Sequence, residues 1–496
     1  MSKRLIFLLY SALFLTQHPY AQEDEFRKVF EEFKQQAKSK HEDFRKKCNT
    51  EYIEFLKQTW QSYKFLPAIP RPKDETVSPV RKLKNDQTPI ENKEVPIESV
   101  TTPTTPEPQP LPVSPIYEDK TQDEQMFTYR FYGTECSLRI PKVKPFLLTN
   151  INEEQIATAW ESLAKGAYDN TIRDFLELRI RMQLCDWAYL NAINTFAESY
   201  LGKGNDATLL TSFLYCQSGY QMRLARTSSR RLYILFGSKY RIYEMPYYKI
   251  GNDLFYPLTK DNIDDIEICS ASFPDEQALY LNIAQGQVFT YDASSPRTFI
   301  AENYPDMKVQ TQVNKNLIDF YNTYPTADIG DNFMTRWAMY ANTPMQQEIQ
   351  VSLYPKLKQL IAGDGELDAV NKILNWVQTA FAYDYDDKVW GHDRAFFAEE
   401  TLYYPYCDCE DRAILFTRLV RDLLGLDCIL IYYPGHLASA VCFTQQVNGD
   451  YISLDGHKFI VCDPTYIGAP VGMTMPSKNN ASAKVILLKK NYQEHY

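Results

Sequence analysis

The segment Cys407-Asp408-Cys409-Glu410-Asp411-Arg412-Ala413 opens a run in which Ile414, Leu415, Leu419, Val420 and Leu423 recur at helical spacing, and Gly425 closes it. Asp408 suits an N-cap, Asp411 can complete a capping box, and Gly425 fits the C-terminal cap. Cys409 therefore falls in the first turn of a helix. A helix N-terminus carries partial positive charge and unpaired N–H groups. Those features stabilise a thiolate, lower a thiol pKa and can hold an oxyanion. They are what a cysteine nucleophile for acyl transfer needs.

Such a nucleophile needs a base. A helix over 409–424 is about 23 Å long at ~1.5 Å per residue. The chain then turns at Gly425 and reads as strand from Cys428 to Tyr433. That strand returns about 20 Å at ~3.3 Å per residue, to the level of Cys409. Pro434-Gly435 turns it, and His436 follows. A carboxylate should orient the other ring nitrogen, and two are placed to do so. If Asn448-Gly449 is a tight hairpin, Asp455 returns to His436. If the Asp455-Gly456 turn makes the hairpin instead, Asp463 returns to it.

Taken together, Cys409-Glu410-Asp411-Arg412-Ala413, His436 at a strand start and Asp463-Pro464-Thr465 resemble the transglutaminase-like superfamily, which shares the papain-like cysteine-protease fold. Ile373 to Val377 and Tyr383 resemble the helix that precedes the cysteine in that family. The resemblance covers roughly residues 370–470. The chain departs from the pattern at Cys407, where glycine is usual, and at Ala438, where an aromatic is usual. The resemblance implies Cys409 as nucleophile, His436 as general base and acid, and Asp463 as the orienting carboxylate, with no cofactor and no metal. It implies cleavage of an amide through a thioester, by a peptidase or amidase acting on protein or cell-wall peptide. Transfer to an amine, as in a crosslinking transglutaminase, and a non-catalytic envelope binding or scaffold role that keeps the triad are the alternatives.

The elements around this motif give an expected α+β fold. A papain/transglutaminase-like domain occupies 346–496, with the cysteine helix packed on an antiparallel sheet. Residues 118–260 contain an echo of it. An offset of 206 aligns Lys203–Gly219 with Cys409–Gly425, and Ala207, Leu209, Thr211 and Gly219 meet identical residues. Lys203 then stands in place of Cys409, and Arg230 in place of His436. This segment is expected to be a degenerate related α+β unit, joined by a β-rich connector over 261–345. Trp376 fits a core stripe, Asp393 and Arg394 are expected to pair near the cleft, and Cys462 is expected to point into the core.

The N-terminal third reads differently. Lys3-Arg4, an apolar run from Leu5 to Leu15, and Ala21 before an acidic stretch form a signal peptide over 1–21, too short to span a membrane. No later segment is long enough to span one, and no cysteine suits a lipid anchor at the cleavage region. The expected location is periplasmic or secreted. Residues 22–65 carry an amphipathic stripe through Phe26, Phe30, Phe33, Phe44, Cys48, Tyr52 and Leu56. Its helix, 24–63, either docks on the body or meets a partner. Residues 66–117 are rich in proline and poor in apolar groups, and read as a disordered tether. A balance of 53 basic against 63 acidic residues, net −10, argues against a nucleic-acid groove. The ten cysteines lack both disulfide-framework and zinc spacing, so mostly buried thiols are expected.

Overall fold

The computed structural model describes residues 43–72, 77–83, 85, 89–103, 124–144, 146–259, 263 and 265–489. The expected signal peptide, the first half of the amphipathic segment and residues 104–117 of the expected tether lie outside the described residues.

Helix α1 (43–56) continues the amphipathic segment and is docked. Tyr52 and Leu56 are buried. Asn49 fixes the docking, because its Nδ2 donates to Gln217 Oε1 at 3.0 Å and its Oδ1 accepts from Trp160 Nε1 at 3.1 Å. Of the two readings of this helix, its described part shows docking on the body.

The next stretch corrects the sequence reading. Proline content suggested a disordered tether over 66–117, yet the described residues of 66–103 are paired at several points. Just before this stretch, the expected helix over 24–63 ends at residue 56 and gives way to strand β1 (Gln61–Tyr63), which enters one large sheet. Within the stretch, Leu66 and Ile69 bridge to Tyr247 and Tyr243, strand β2 (Val80–Arg81) makes a short parallel pair, and strand β3 (Ile97–Thr101) closes the edge of the other large sheet. Proline is compatible with edge strands, where one side of the backbone needs no ladder partner. The segment has too few apolar residues to fold alone, and it takes its order from the sheets it borders.

A hairpin of β4 (Glu124–Phe131) and β5 (Thr134–Pro141) is followed by helices α2 (Glu153–Ala164), α3 (Asp169–Arg181), α4 (Asp186–Leu201) and α5 (Asn205–Gln217). Strands β6 (Met222–Thr227), β7 (Leu232–Ser238), β8 (Tyr248–Ile250), β9 (Asp253–Pro257) and β10 (Ile266–Cys269) build the first sheet. Its last strand falls beyond residue 260, so the expected boundary there cuts the sheet and is corrected to include β10.

The connector is less β-rich than expected. It holds the pair β11 (Arg297–Ile300) and β12 (Lys308–Thr311), but also helices α6 (Lys315–Tyr321) and α7 (Thr335–Asn342). Asn314 caps α6 by accepting from Asn316 N, and Leu317, Ile318, Phe320 and Tyr321 bury its inner face. That spacing is helical, though the Pro and Gly around it punctuate the chain as turns do.

The C-terminal part brings helices α8 (Gln347–Leu360), α9 (Glu366–Thr379), α10 (Ala398–Tyr403) and α11 (Cys409–Leu424). Strands β13 (Cys428–Tyr433), β14 (His436–Cys442), β15 (Tyr451–Leu454), β16 (His457–Cys462), β17 (Tyr466–Ile467) and β18 (Ala483–Leu487) follow. The architecture is mixed α+β with several antiparallel sheets.

The two large sheets share one plan. The first runs β1-β10-β6-β7-β9-β8 and the second β3-β18-β13-β14-β16-β15. In both, every strand after the outermost is antiparallel to its neighbour. Each central hairpin follows a helix and a glycine in left-handed backbone, Gly219 at φ +88° and Gly425 at φ +70°. Only the outer strand differs, since β1 is antiparallel to β10 while β3 is parallel to β18.

Candidate active site

The cysteine helix forms as its sequence dictates. Asp408 and Asp411 make a reciprocal capping box, and Gly425 ends α11 in the left-handed region. Ile414, Leu415, Phe416, Leu419 and Val420 are fully buried. Each such side chain contributes about 1.5–3 kcal/mol relative to exposure. The helix is buried on its polar side as well. Arg418 pairs with Asp422, and Arg421 donates to Ala341 O, Asn342 Oδ1 and Lys489 O.

From Gly425 the chain returns as β13, turns at Pro434-Gly435 and enters β14 at His436, with Tyr433 opposite His436. Cys409 therefore lies beside the start of β14, where the Leu437 backbone N–H acts on its thiol. The orienting carboxylate is Asp463. Its Oδ2 lies 2.8 Å from His436 Nε2, and its Oδ1 accepts from Thr465 N at 2.8 Å and Tyr466 N at 3.2 Å. The Asp455-Gly456 turn makes the β15–β16 hairpin, which leaves Asp455 at the far end of the sheet from His436. His436 is 1% exposed, and its Nδ1 is buried with no hydrogen-bond partner among the described residues. One ring nitrogen is thus held and the other is open.

Cys409, His436 and Leu437 line one cavity of about 220 Å³, together with Tyr383, Trp337, Tyr432, Asp386, Asp408 and Glu410. Cys409 itself is 8% exposed. Its thiol donates to Glu410 Oε2 at 3.2 Å. Burial, then the Glu410 and Asp408 carboxylates, push this thiol well above its ordinary value, while the Leu437 N–H works the other way. The helix N-terminus alone argued for a lowered thiol. Burial first, and then the Glu410 and Asp408 carboxylates, act against that expectation.

Those carboxylates form a cluster. Burial and then Glu410 push Asp386 up to about 8, and burial raises Asp408 and Asp411 strongly. Oxygens of Asp386, Asp408 and Asp411, and of Asp386, Asp393 and Glu410, lie within 4.8 Å of one another. Such a set can share protons or hold a hard cation through oxygen. The sequence reading gives Asp408 and Asp411 as caps and Asp393 as a residue near the cleft, and does not bring them together with Asp386 and Glu410 as a cluster.

Two side chains lock the frame. Gln378 of α9 donates to Asp463 O, Tyr466 O and Ala469 O at 2.8–3.0 Å and accepts from Gly468 N. Arg412, 1% exposed, donates to Phe381 O at 2.7 Å, Gln378 O at 3.1 Å and Pro464 O at 3.5 Å, and its guanidinium lies over the Tyr383 ring. Trp376 is fully buried, as its stripe predicted, and Cys462 is also in the core. The expected Asp393–Arg394 pair does not form, because Asp393 pairs with Arg336 and Arg394 with Glu400. Nine of the ten thiols are buried and Cys442 is half-buried.

Glu399, on α10, is 1% exposed and accepts from Gln346 N at 2.6 Å. Burial raises its carboxyl from 4.5 to about 7. Between those values the fold holds a proton that the unfolded chain has released. Stability therefore falls as pH rises through that window, by up to about 3 kcal/mol. Glu399→Gln should match the wild type in melting temperature at acid pH and exceed it above neutrality. Parallel melting curves across pH would contradict this.

The first sheet holds other residues at the corresponding positions. There Arg231 O accepts from Thr227 N, the pairing that Tyr433 and His436 make in the second sheet. The three-residue turn 228–230 is one residue longer than Pro434-Gly435, which moves the counterpart of His436 from Arg230 to Arg231. Leu258 lies opposite Ile234 as Cys462 lies opposite Ser439, so Thr259 stands where Asp463 stands. Lys203, at the place of Cys409, is exposed and precedes α5. Asn205, the first residue of α5, instead bonds Arg230 O and Leu232 N at the end of the hairpin. Comparison of the chain with protein-family models, curated proteins and solved structures finds no match.

Proposed function

We propose that this chain is an exported cysteine peptidase or amidase that cleaves amide bonds in protein or cell-wall peptide. Cys409 is the nucleophile, His436 the general base and acid, and Asp463 the positioning residue. The observation that carries this reading is the His436 ring, held through Nε2 by Asp463, with its buried Nδ1 left without a partner among the described residues and Cys409 lining the same cavity. Because the thiol is held neutral, the reaction begins with transfer of its proton to His436 Nδ1 as sulfur attacks the amide carbonyl. First-turn N–H groups of α11 stabilise the oxyanion. The C–N bond breaks, the amine leaves with the proton from His436, and a thioester remains. Water, deprotonated by His436, then releases the acid and restores the thiol.

The papain/transglutaminase-like fold of 346–496 and a periplasmic or secreted location are parts of the same reading. So is a degenerate relation of the first helix–sheet unit to the second, which their shared strand plan supports. Among the described residues no helix is long and apolar enough to cross a membrane. The sequence signals that support export lie in the first residues of the chain.

Cys409→Ala should abolish release of new amino termini from a peptide library and from cell-wall peptide, with an unchanged melting curve. Full turnover by that variant would sink the assignment. One observation favours a second reading, a non-catalytic envelope binding or scaffold protein: the thiol is covered and its pKa raised. Transfer to an amine would mark a crosslinking transglutaminase, seen as incorporation of a labelled primary amine into protein.

A further inference from the structure

The cavity of Cys409 is walled partly by the chain's own N-terminal strap. Pro70, Arg71, Pro72 and Val77 line it together with Cys409 and His436. The strap is tied down on both sides. Toward the first sheet, Leu66 exchanges backbone hydrogen bonds with Tyr247, and Glu244 N donates to Ile69 O. Arg71 is the cross-tie, with Nε donating to Glu244 Oε2 at 2.9 Å and a terminal nitrogen donating to Asp393 O at 2.7 Å. Toward the second sheet, Tyr383 OH donates to Val77 O at 3.2 Å, and the Ser78 and Tyr385 hydroxyls lie 2.6 Å apart. Val80 and Arg81 then pair in parallel with Tyr466 and Ile467, three residues beyond Asp463.

These contacts are those of an extended peptide in a groove. Short strand pairing gives main-chain hydrogen bonds, and hydroxyls and a carboxylate take the remaining polar groups. Several of the contacts are exposed or half-buried, where single hydrogen bonds are readily exchanged for those of a competing peptide. The groove fixes a direction, since the strap runs parallel to β17 as it leaves the cysteine. An acidic wall of Asp386, Asp387, Asp393 and Glu244 suits the basic Arg71.

We propose that residues 69–72 and 77–81 occupy the substrate groove in cis, and that the substrate is an extended polypeptide with a basic residue that displaces them and runs the same way along β17. The proposal builds on the Cys409–His436 reading, but its test does not need turnover.

The test is the rate of iodoacetamide alkylation of Cys409, followed by peptide mass mapping, in the wild type and in Arg71→Ala. Release of the cross-tie should speed labelling of Cys409 about tenfold and leave Cys442 unchanged. A synthetic peptide of sequence 69–81 added in trans should slow the variant again, and the same peptide with Arg71 replaced by Glu should not. Ser78→Ala supplies the same readout if Arg71→Ala lowers the melting temperature. Equal labelling of Cys409 in the wild type and both variants, or no effect of the added peptide, overturns the proposal. If labelling responds as expected but no peptide is ever cleaved, the groove stands and the peptidase reading fails.

Discussion

Asp463→Ala is expected to lose both activity and stability, whereas Asp463→Asn loses activity alone. The two carboxylate oxygens have separate tasks. Oδ2 faces His436 Nε2, and Oδ1 receives the Thr465 and Tyr466 N–H groups that start the turn into β17. Asparagine keeps an acceptor for the turn but presents an amide to the ring. With Oδ1 committed to the turn, it turns the amide nitrogen to the ring, favours the wrong tautomer and no longer stabilises the imidazolium; the corresponding change in a Ser-His-Asp triad costs on the order of 10⁴ in kcat. Alanine also orphans two backbone N–H groups at a residue that is 2% exposed. Each such group costs about 1–3 kcal/mol. Asp463→Asn should therefore melt within a few degrees of the wild type, and Asp463→Ala well below it. Equal melting temperatures for the two variants would show that the turn does not depend on Oδ1.

Arg412→Ala should be the most destabilising single change near the site. This guanidinium is 1% exposed and reaches three carbonyls, on the end of α9, on Phe381 and on Pro464. It thereby joins the cysteine helix to the segment carrying Tyr383 and to the residue after Asp463. Removal leaves those carbonyls unpaired and a cavity under the Tyr383 ring. The expected loss is about 3–5 kcal/mol. Arg412→Lys should recover less than half of it, because an ammonium cannot reproduce the planar fork or stack on the ring. Urea unfolding of the two variants measures both effects, and full recovery by lysine would show that charge alone matters.

Much of the site is legible in the sequence because it is built from local signals. Caps and periodicity place Cys409, helix and strand lengths bring His436 back to it, and two turns narrow the orienting carboxylate to Asp455 or Asp463. The choice between them depended on whether 448–449 or 455–456 turns the chain, a question of register that Asn-Gly and Asp-Gly signal equally well. The echo at offset 206 likewise foretold a shared strand plan, and slipped by one residue at Arg231 because the two hairpin turns differ in length.

What stayed hidden is non-local. The raised Cys409 thiol depends first on burial that no window of sequence contains, and the acidic cluster beside it draws in Asp386, more than twenty residues upstream. The strap was misread because its prolines and polar residues describe a chain that cannot fold alone, and its partners lie in β17, β18 and around Tyr247. Gln378 and Arg412 looked like ordinary helix residues, and only the fold aims them at carbonyls brought together from several segments.

The most direct test of the account is acylation by p-nitrophenyl acetate, read by intact mass and peptide mapping. The acetyl group passes to a thiol and p-nitrophenol leaves. If Cys409 and His436 form an acyl-transfer pair, one acetyl group is found on Cys409 ahead of the more exposed Cys442, and His436→Ala removes it. Acetylation that favours Cys442, or that reaches Cys409 at the same rate without His436, would contradict the account.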